Sequence, residues 1–263
     1  MSFLLAKSTV AHQNVIAYPG EMAVKTLVAF DFDHTVVDGN TDIVVRQLYS
    51  GSLPTEIEAL YNAQDGWTDY MAAIFALLHQ TGFTQSAIKE CIIGIPLVPG
   101  MKDLFDHLNN DRYEVIIVSD SNTLFIDWLL KANHLDKVVH HVYSNPAEFD
   151  TDGMLTLKYF QLQDSCKLSS KNMCKGDIVE NHVRQRQTEG VSFSRVSYVG
   201  DGSNDYCPAL RLSKTDYVFP RERHSLERKI KANEAEVKAN VIVWKTGSCI
   251  LSALREMVTT QEK

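Results

Sequence analysis

The sequence predicts an α/β fold: a parallel sheet with helices on both faces and an all-helical segment inserted after the first strand. Short apolar runs alternate with stretches of helical periodicity along most of the 263 residues, which is the pattern of consecutive strand and helix units. Several of these apolar runs end abruptly in aspartate or serine. One long segment, residues 41–97, carries helical periodicity alone. These observations together indicate one sheet-based core with one helical insertion.

The first predicted strand covers residues 22–31 and is followed closely by a second aspartate, Asp33. A buried strand is typically a short apolar run bounded by turn residues, and Thr35 and the turn at 38–40 provide that boundary here. Ligands of open α/β sheets bind at the C-terminal ends of the strands. Two crowded carboxylates, Asp31 and Asp33, repel each other unless a cation or a shared proton relieves them. The sequence therefore predicts a divalent metal at this strand end.

Residues 41–97 are predicted to form an all-helical cap. Thr41 is expected to cap its first helix, and Pro54 is expected to open the second. Residues 71–78 and 88–92 continue the apolar spacing of i, i+3 and i+4. Because aromatic side chains dominate burial in cores, the aromatic residues of this segment are expected to pack inside the cap: Tyr61, Trp67, Tyr70 and Phe75.

The alternation of strands and helices returns at residue 98, so residues 22–40 and 98–263 are expected to form the α/β core. A turn signal at 150–153 between apolar flanks predicts a hairpin appended to the main sheet. The further predicted strands cover residues 114–118, 138–143, 194–199, 216–219 and 241–244. The further predicted helices cover residues 101–109, 123–133 and 221–239, with a closing helix that ends near 258.

Residues 1–21 are expected to be a flexible N-terminal extension. Their apolar run is too short for a secretory signal and has no basic run before it, although an organelle-targeting role remains the alternative. No apolar run approaches the roughly 18 residues of a membrane span. The net charge of −7 argues against nucleic acid and anionic membranes as partners, but it does not exclude an anionic substrate at a metal site.

The chain has five cysteines and no CxxC pair, which favours a reducing compartment, here the cytoplasm, over a disulfide framework. Cys166 and Cys174 are eight residues apart. Because a structural metal site needs four ligands and these two thiols supply only two, no structural metal is expected there.

Three predicted strands end in polar side chains, and the C-terminal ends of parallel strands meet at one edge of a sheet. These side chains should therefore face a common crevice. Aspartates around one point suit a hard cation such as Mg²⁺, which binds few carboxylates together with a phosphate oxygen of the substrate. The three groups are Asp31, Asp33 and Thr35; Ser119 and Asp120; and Asp201, Asn204 and Asp205.

In order and spacing these groups resemble the motifs of the haloacid dehalogenase (HAD) superfamily, whose members transfer phosphate through an aspartate nucleophile. From about residue 23 to residue 258 the chain is more closely similar to the phosphoethanolamine/phosphocholine phosphatase and pyridoxal phosphate phosphatase family. The resemblance implies a Rossmann-like, HAD-type core with a helical cap. It is carried by the segments 31–35, 38–42, 119–122, 144–146, 172–175 and 198–205.

The resemblance also implies a role for each site residue. Asp31 would be the nucleophile and Asp33 the proton donor, with the latter holding the higher pKa of the two. Asp31, the main-chain carbonyl of Asp33, and Asp201 would hold Mg²⁺. The remaining roles are phosphate binding by Ser119 and Lys175, binding of the substrate head group by Asp42 and Asp120, and support of these groups by Thr35, Asn204 and Asp205.

Simpler structural roles remain open for three of these residues. Lys175 taken alone fits an exposed lysine at the start of a helix. Asp42 and Asp205 fit acidic residues in the first turn of a helix, where the helix dipole favours them. His34 stands where the relatives carry other residues, so the substrate preference can differ from theirs.

The expected function is Mg²⁺-dependent hydrolysis of the phosphate monoester of a small metabolite. Residues 125–129 look like the pyridoxal phosphate enzyme, which is favoured, while residues 172–175 match the phosphoethanolamine/phosphocholine enzyme. Two alternatives remain open: a HAD domain that binds a phosphorylated ligand without turnover, and a mutase that transfers phosphate within a sugar.

Overall fold

The structure is a computed structural model that describes residues 23–63 and 66–259. The predicted N-terminal extension, residues 1–21, lies outside the described residues. The strands are β1 (Ala23–Phe30), β2 (Tyr113–Asn122), β3 (Val139–Asn145), β4 (Ala147–Phe149), β5 (Leu155–Leu157), β6 (Val191–Gly200), β7 (Tyr217–Pro220) and β8 (Asn240–Val241).

Six of these strands form one parallel sheet in the order β3-β2-β1-β6-β7-β8. Strand β1 lies inside the sheet between β2 and β6, and its last residues are fully buried because every side chain from Leu27 to Phe30 is apolar. Successive side chains of a strand point to opposite faces. Val28 and Phe30 accordingly belong to one apolar cluster, and Leu27 and Ala29 belong to another. The predicted α/β fold is confirmed.

Helices cover both faces of this sheet and form the segment inserted after β1. The helices are α1 (Thr41–Arg46), α2 (Thr55–Asn62), α3 (Trp67–Gln80), α4 (Gln85–Ile93), α5 (Met101–Leu108), α6 (Thr123–Ala132), α7 (Lys175–Thr188), α8 (Tyr206–Arg211), α9 (Ser225–Ala232) and α10 (Gly247–Thr259), with 3₁₀ turns at Ser203–Asp205 and Glu234–Glu236. None of the helices in the described part of the chain is long and apolar enough to span a membrane.

The inserted segment contains helices α1 to α4, and its two ends are hydrogen-bonded to each other. The Asp38 amide donates to the Pro96 carbonyl at 2.8 Å, and the Val98 amide donates to the Val36 carbonyl at 3.0 Å. The apolar side chains of the cap belong to the same buried cluster as one face of the sheet. The cap is therefore packed onto the core as well as tethered at its base.

Thr41 does not cap helix α1, contrary to the prediction. The cap is Asn40, whose side-chain oxygen accepts a hydrogen bond from the Ile43 amide at 2.9 Å. Thr41 is the first residue of the helix, and its hydroxyl contacts Asp33 and Ser121 of the core instead. The cap and the core are thus joined directly beside the first aspartate motif.

The predicted hairpin exists, but it is not part of the main sheet. Strands β4 and β5 pair with each other as a separate antiparallel sheet. Strand β5 contacts the cap helix α3, and the ring of Phe149 stacks on Trp128 with a centroid distance of 6.2 Å. Because its apolar side chains are buried against the cap and α6, the hairpin does not extend the sheet edge.

The C-terminal part of the core is less regular than predicted. The helix predicted over 221–239 is confined to α9 and the following 3₁₀ turn. Arg223 adopts a left-handed backbone conformation, with φ of 64°, just before this helix. The strand predicted over 241–244 pairs as the two-residue strand β8, followed by a bridge between Arg221 and Trp244.

Candidate active site

A cavity of about 300 Å³ lies between the cap and the C-terminal ends of β1, β2 and β6. It has this position because all three strands run parallel and end at the same edge of the sheet. The core and the cap both contribute walls. The lining includes Asp31, Asp33, His34, Ser119, Asp120, Asp201 and Asn204 from the core, together with Asp42, Trp67 and Thr68 from the cap.

A buried ion cluster joins the ends of β1 and β6 to the start of α7. The Lys175 ammonium lies 2.7 Å from Asp31 Oδ1 and 2.8 Å from Asp205 Oδ1. Lys175 is only 1% exposed, so the alternative of an exposed lysine is wrong. Burial alone would lower the pKa of Lys175, but Asp205 and Asp31 raise it well above its usual value. The side chain therefore carries a full positive charge beside Asp31.

Four hydrogen-bond donors fix the carboxylate of Asp205. Its carboxylate accepts hydrogen bonds from Lys175, from the Tyr198 hydroxyl at 2.7 Å, and from the amides of Asp201 and Gly202 at 3.0 and 2.8 Å. It is fully buried, which a simple first-turn acid would not be. Tyr198 was not predicted as a site residue, and its hydroxyl gives no distinct signal, because strand β6 also contains three serines and an arginine.

Carboxylate oxygens from Asp31, Asp201 and Asp205 lie within 4.8 Å of one another. Burial raises the pKa of Asp31 well above its usual value; Lys175 lowers it, while Asp205 and Asp201 raise it further. Asp201 also contacts His224, whose Nδ1 lies 2.9 Å from Asp201 Oδ2, a partner that the sequence analysis missed. Three carboxylates thus share one close ammonium, and their hard oxygen donors are the type that Mg²⁺ prefers.

The Asp33 side chain turns toward the cap. Its two carboxylate oxygens accept hydrogen bonds from the amide and the hydroxyl of Thr41, at 3.1 and 3.0 Å. Burial raises the pKa of Asp33 to about 8, and the nearby Asp42 adds to this rise while Thr41 opposes it. Asp33 can therefore carry a proton near neutral pH, and helix α1 fixes its orientation.

Ser119 lies near the C-terminal end of β2, as predicted, and it lines the cavity. Its hydroxyl oxygen accepts a hydrogen bond from the Ser121 amide at 3.2 Å, which fixes its direction. Thr35 is buried, but its hydroxyl has no hydrogen-bond partner among the residues that the structure describes. The structure therefore brings Ser119 into the site and shows no hydrogen bond from the Thr35 hydroxyl to the carboxylates.

Asp42 and Asp120 face the cavity from opposite sides, one from the cap and one from the core. Asp42 accepts a hydrogen bond of 2.7 Å from Trp67 Nε1, and burial raises its pKa to about 7. Asp120 accepts a hydrogen bond of 2.7 Å from Asn204 Nδ2. Its other oxygen is buried without a hydrogen-bond partner among the described residues. The cavity is thus lined by an acid from the cap and another from the core in addition to Asp31.

Two of the cap aromatics are not core residues, contrary to the prediction. Trp67 is 37% exposed and lines the cavity, and Tyr61 is 58% exposed. Both rings lie against Tyr70, with centroid distances of 5.6 and 5.3 Å. Tyr70 and Phe75 are buried as expected. The position of Asp42 explains the difference for Trp67, because the indole N–H binds that carboxylate at the cavity rim.

His34 also lines the cavity and has a left-handed backbone conformation, with φ of 55°. Arg221 supports this turn, since its guanidinium donates to the His34 carbonyl at 2.6 Å and pairs with Asp38 at 2.7 Å. The sequence analysis missed Arg221, because a contact across more than 180 residues leaves no local pattern.

The sequence profile of the family described as Putative Phosphatase matches residues 26–258. The chain belongs to this phosphatase family. The mouse pyridoxal phosphate phosphatase PHOSPHO2 is 37% identical over 89% of the chain and 99% of the mouse protein. The human phosphoethanolamine/phosphocholine phosphatase is 34% identical over 90% of each chain. The predicted family is confirmed.

Solved structures support the fold assignment of this phosphatase. A phosphoserine phosphatase in the form of a phospho-aspartyl intermediate analogue matches with a TM-score of 0.57 and 18% sequence identity. The match covers 90% of this chain and 98% of that structure. The core therefore shares its fold with that phosphoserine phosphatase. Membership of a phosphatase family favours phosphate hydrolysis over the ligand-binding and mutase alternatives.

Proposed function

We propose that this phosphatase hydrolyses the phosphate monoesters of small metabolites in a Mg²⁺-dependent reaction, with Asp31 as the nucleophile. The observation that carries the proposal is the position of Asp31: it follows the central strand, lines the cavity and lies 2.7 Å from a buried ammonium. A carboxylate nucleophile splits phosphate transfer to water into two easier displacements. The charged Lys175 beside that carboxylate would attract a phosphate dianion.

In the first displacement, an Asp31 oxygen forms a bond to phosphorus while the bond from phosphorus to the ester oxygen breaks. Lys175 and the Ser119 hydroxyl bind the phosphate oxygens, and Asp33 donates its proton to the departing alkoxide. In the second displacement, a water oxygen bonds to phosphorus while Asp33 accepts a proton from that water, and the bond between phosphorus and the Asp31 oxygen breaks. Phosphate then leaves, and both aspartates return to their starting states.

The residues at the strand ends fit a Mg²⁺ ion, because they present several carboxylate oxygens and only one close ammonium. Asp31 and Asp201 would hold the ion together with the main-chain carbonyl of Asp33, while Asp205 positions Lys175. When bound, Mg²⁺ offsets the repulsion between the phosphate and the carboxylate nucleophile. The two hydrogen bonds from Thr41 hold the Asp33 side chain, which lines the cavity.

We propose pyridoxal phosphate as the first candidate substrate, since relatives with that name share up to 37% identity over nearly their whole length. Phosphoethanolamine and phosphocholine are the second candidates. Asp42 and Asp120 favour them, because two carboxylates facing the phosphate site suit a cationic head group, and the Trp67 ring beside Asp42 can bind a quaternary ammonium through its face.

The test is a steady-state comparison of the three substrates with and without Mg²⁺. We expect hydrolysis only with Mg²⁺ and the highest kcat/KM for pyridoxal phosphate. Equal and slow turnover of all three substrates would contradict the substrate assignment, and full activity in excess chelator would contradict the metal assignment.

A separate experiment tests the covalent step. Rapid acid quenching with a ³²P-labelled substrate should trap label on the wild-type protein, and peptide mapping should place it on Asp31. The Asp31→Asn variant should trap none and lose ~10⁴-fold or more in kcat. Unchanged turnover in this variant would exclude Asp31 as the nucleophile.

A further inference from the structure

Three cysteines that are separate in sequence meet beside the active site. The Sγ atoms of Cys166, Cys174 and Cys207 lie within 4.8 Å of one another, and Cys207 Sγ is 3.5 Å from each of the other two. All three are free thiols. Cys166 belongs to the irregular segment between β5 and α7, Cys174 precedes α7, and Cys207 lies on α8. Cys207 is a third thiol beside Cys166 and Cys174, which alone were considered when no structural metal was expected.

We propose that this cluster, the three-thiol site, binds a Zn²⁺ ion. Thiolates at the usual Zn–S distance of ~2.3 Å in a tetrahedral site lie roughly 3.8 Å from one another. The observed 3.5 Å between Cys207 and each neighbour is close to that spacing. Three soft ligands are a set that favours Zn²⁺ over Mg²⁺. The half-buried position of Cys166 leaves a solvent side for water as the fourth ligand.

Positive charge lies close to the three-thiol site. Three thiolates and one Zn²⁺ leave a net charge of about −1. The Arg211 guanidinium offsets it, because its Nη2 lies 3.5 Å from Cys174 Sγ. Cys174 is also the N-cap residue of α7, where the positive end of the helix dipole stabilises an anion. Arg211 is itself held by Asp177 and Glu180.

The backbone around the site leaves room for the three sulfurs. A Cβ added at Gly176 would lie 2.8 Å from Cys207 Sγ and 2.6 Å from Arg211 Cδ, so only glycine lets α7 come this close to α8. The Cys166 loop is ordered by Gln163, whose side chain accepts from the Cys166 amide at 2.9 Å and donates to the Ser170 carbonyl at 2.7 Å. The ligands are therefore positioned by the protein itself.

If Asp31 and Lys175 act as proposed above, the three-thiol site also supports catalysis. Cys174 directly precedes Lys175, and Asn172 of the same segment lines the active-site cavity. A metal bound by Cys166, Cys174 and Cys207 would link the segment before α7 to α8, and it would thereby keep Lys175 in contact with Asp205. Loss of Zn²⁺ is therefore expected to lower the affinity for phosphate without removing the nucleophile.

Metal content tests the proposal independently of activity. Protein purified from zinc-supplemented cells should contain about one Zn²⁺ per chain by mass spectrometry of the metal. The Cys166→Ser and Cys207→Ser variants should lose it. The matched controls are Cys91→Ser and Cys249→Ser, which remove thiols outside the site and should keep it. Equal zinc in all four variants, or none in the wild type, would overturn the proposal.

A spectroscopic measurement on the wild type avoids dependence on variants that fail to fold. Replacement of Zn²⁺ by Co²⁺ should produce intense thiolate-to-metal charge-transfer bands in the near ultraviolet, and it should protect three cysteines from alkylation. Absence of these bands would contradict the site. A Cys207 disulfide to Cys166 or Cys174 in the freshly purified protein, in place of bound metal, would also contradict it.

Discussion

Helix α7 contributes to two buried ion clusters that differ in charge balance. At its first residue, Lys175 meets Asp31 and Asp205, with Asp201 close by. In its second half, Arg186 and His182 meet one acid, Glu114 of β2. We call these the Lys175 cluster and the Glu114 cluster. The first lies at the C-terminal ends of the strands, and the second lies near the start of β2.

The negative charge of Glu114 is balanced by the positive charge of Arg186 in the Glu114 cluster. Two nitrogens of Arg186 bind the two oxygens of Glu114, at 2.8 and 2.9 Å, and His182 Nε2 lies 2.9 Å from the same carboxylate. Glu114 does not line the active-site cavity. Such a bidentate pair orders the helix against the strand and leaves no charge for a ligand.

The Lys175 cluster is unbalanced, because several carboxylates share one ammonium at the wall of a cavity. Crowded like charges in a buried site are costly unless a cation is added. An excess of acids next to a cavity therefore indicates a binding function, whereas a balanced pair away from a cavity indicates a structural one. Four substitutions test this distinction.

The largest effect is expected for Lys175→Met. The variant leaves Asp31 and Asp205 buried without their ammonium, which should lower the free energy of unfolding by ~3–5 kcal/mol in the absence of Mg²⁺. It should also lower kcat/KM by ~10²–10³-fold, because a preorganised charge next to the phosphate is lost. Urea unfolding and steady-state kinetics measure the two effects. Lys171→Met, at an exposed position in the preceding loop, is the control and should change neither.

Glu114→Gln should affect stability and leave catalysis nearly unchanged. The carboxamide cannot accept from Arg186 and His182 as the carboxylate does, so the free energy of unfolding should fall by ~1–3 kcal/mol at pH 7. Glu189→Gln is the control, since it removes an exposed acid that pairs with the same arginine. Its free energy of unfolding should be close to that of the wild type. A large loss of kcat in Glu114→Gln would contradict a purely structural role for the Glu114 cluster.

The difference in the free energy of unfolding between the wild type and Glu114→Gln should depend on pH in a direction set by the pKa of Glu114. Burial alone would raise the pKa of Glu114, but the hydrogen bonds and charge of Arg186 and His182 lower it below its ordinary value. The stabilisation is therefore present above the glutamate pKa of the unfolded chain and is lost as the pH falls through the folded value. The difference in the free energy of unfolding between the wild type and Glu114→Gln should therefore become smaller at acidic pH. A gap that widens in acid would contradict the lowered pKa.

Asp42→Asn should change substrate preference more than general activity. Loss of the carboxylate near the cavity rim should lower kcat/KM for phosphoethanolamine and phosphocholine about tenfold, because each loses one attraction between a carboxylate and a cationic head group. An aryl phosphate without an amine should be affected far less. Asp69→Asn removes an exposed acid on the same cap, and it should leave kcat/KM unchanged both for the amine substrates and for the aryl phosphate. Equal losses on all substrates would show that Asp42 serves the cap structure instead.

The smallest effect is expected for Asn204→Ala. The side-chain amide of Asn204 donates a hydrogen bond to the Asp120 carboxylate. Its removal should lower kcat/KM by roughly threefold, at the low end of the net contribution of a hydrogen bond, because it acts on the head group only through the orientation of Asp120. Ser203→Ala, an exposed neighbour, is the control. A loss larger than that of Asp42→Asn would show that Asp120 contributes more than orientation of the head group.

The α/β core and the sheet edge that carries the site could be predicted from the amino-acid pattern alone. Strands such as β1 are visible because consecutive apolar residues end at an acid, and local burial alone produces that pattern. The common edge follows from parallel pairing, since the ends of β1, β2 and β6 must then coincide. Asp31, Ser119 and Asp201 therefore lie where the sequence placed them, and their catalytic roles remain predictions.

The contacts between distant side chains, in contrast, depend on how the helices and strands pack together. Lys175 is buried because α7 docks its first residue between two strand ends, and Trp67 lines the cavity because Asp42 accepts its N–H. Cys207 joins Cys166 and Cys174 only through the packing of α8 against α7. Contacts of this kind join residues far apart in the chain, and their geometry depends on the whole packed core, so no local pattern records them.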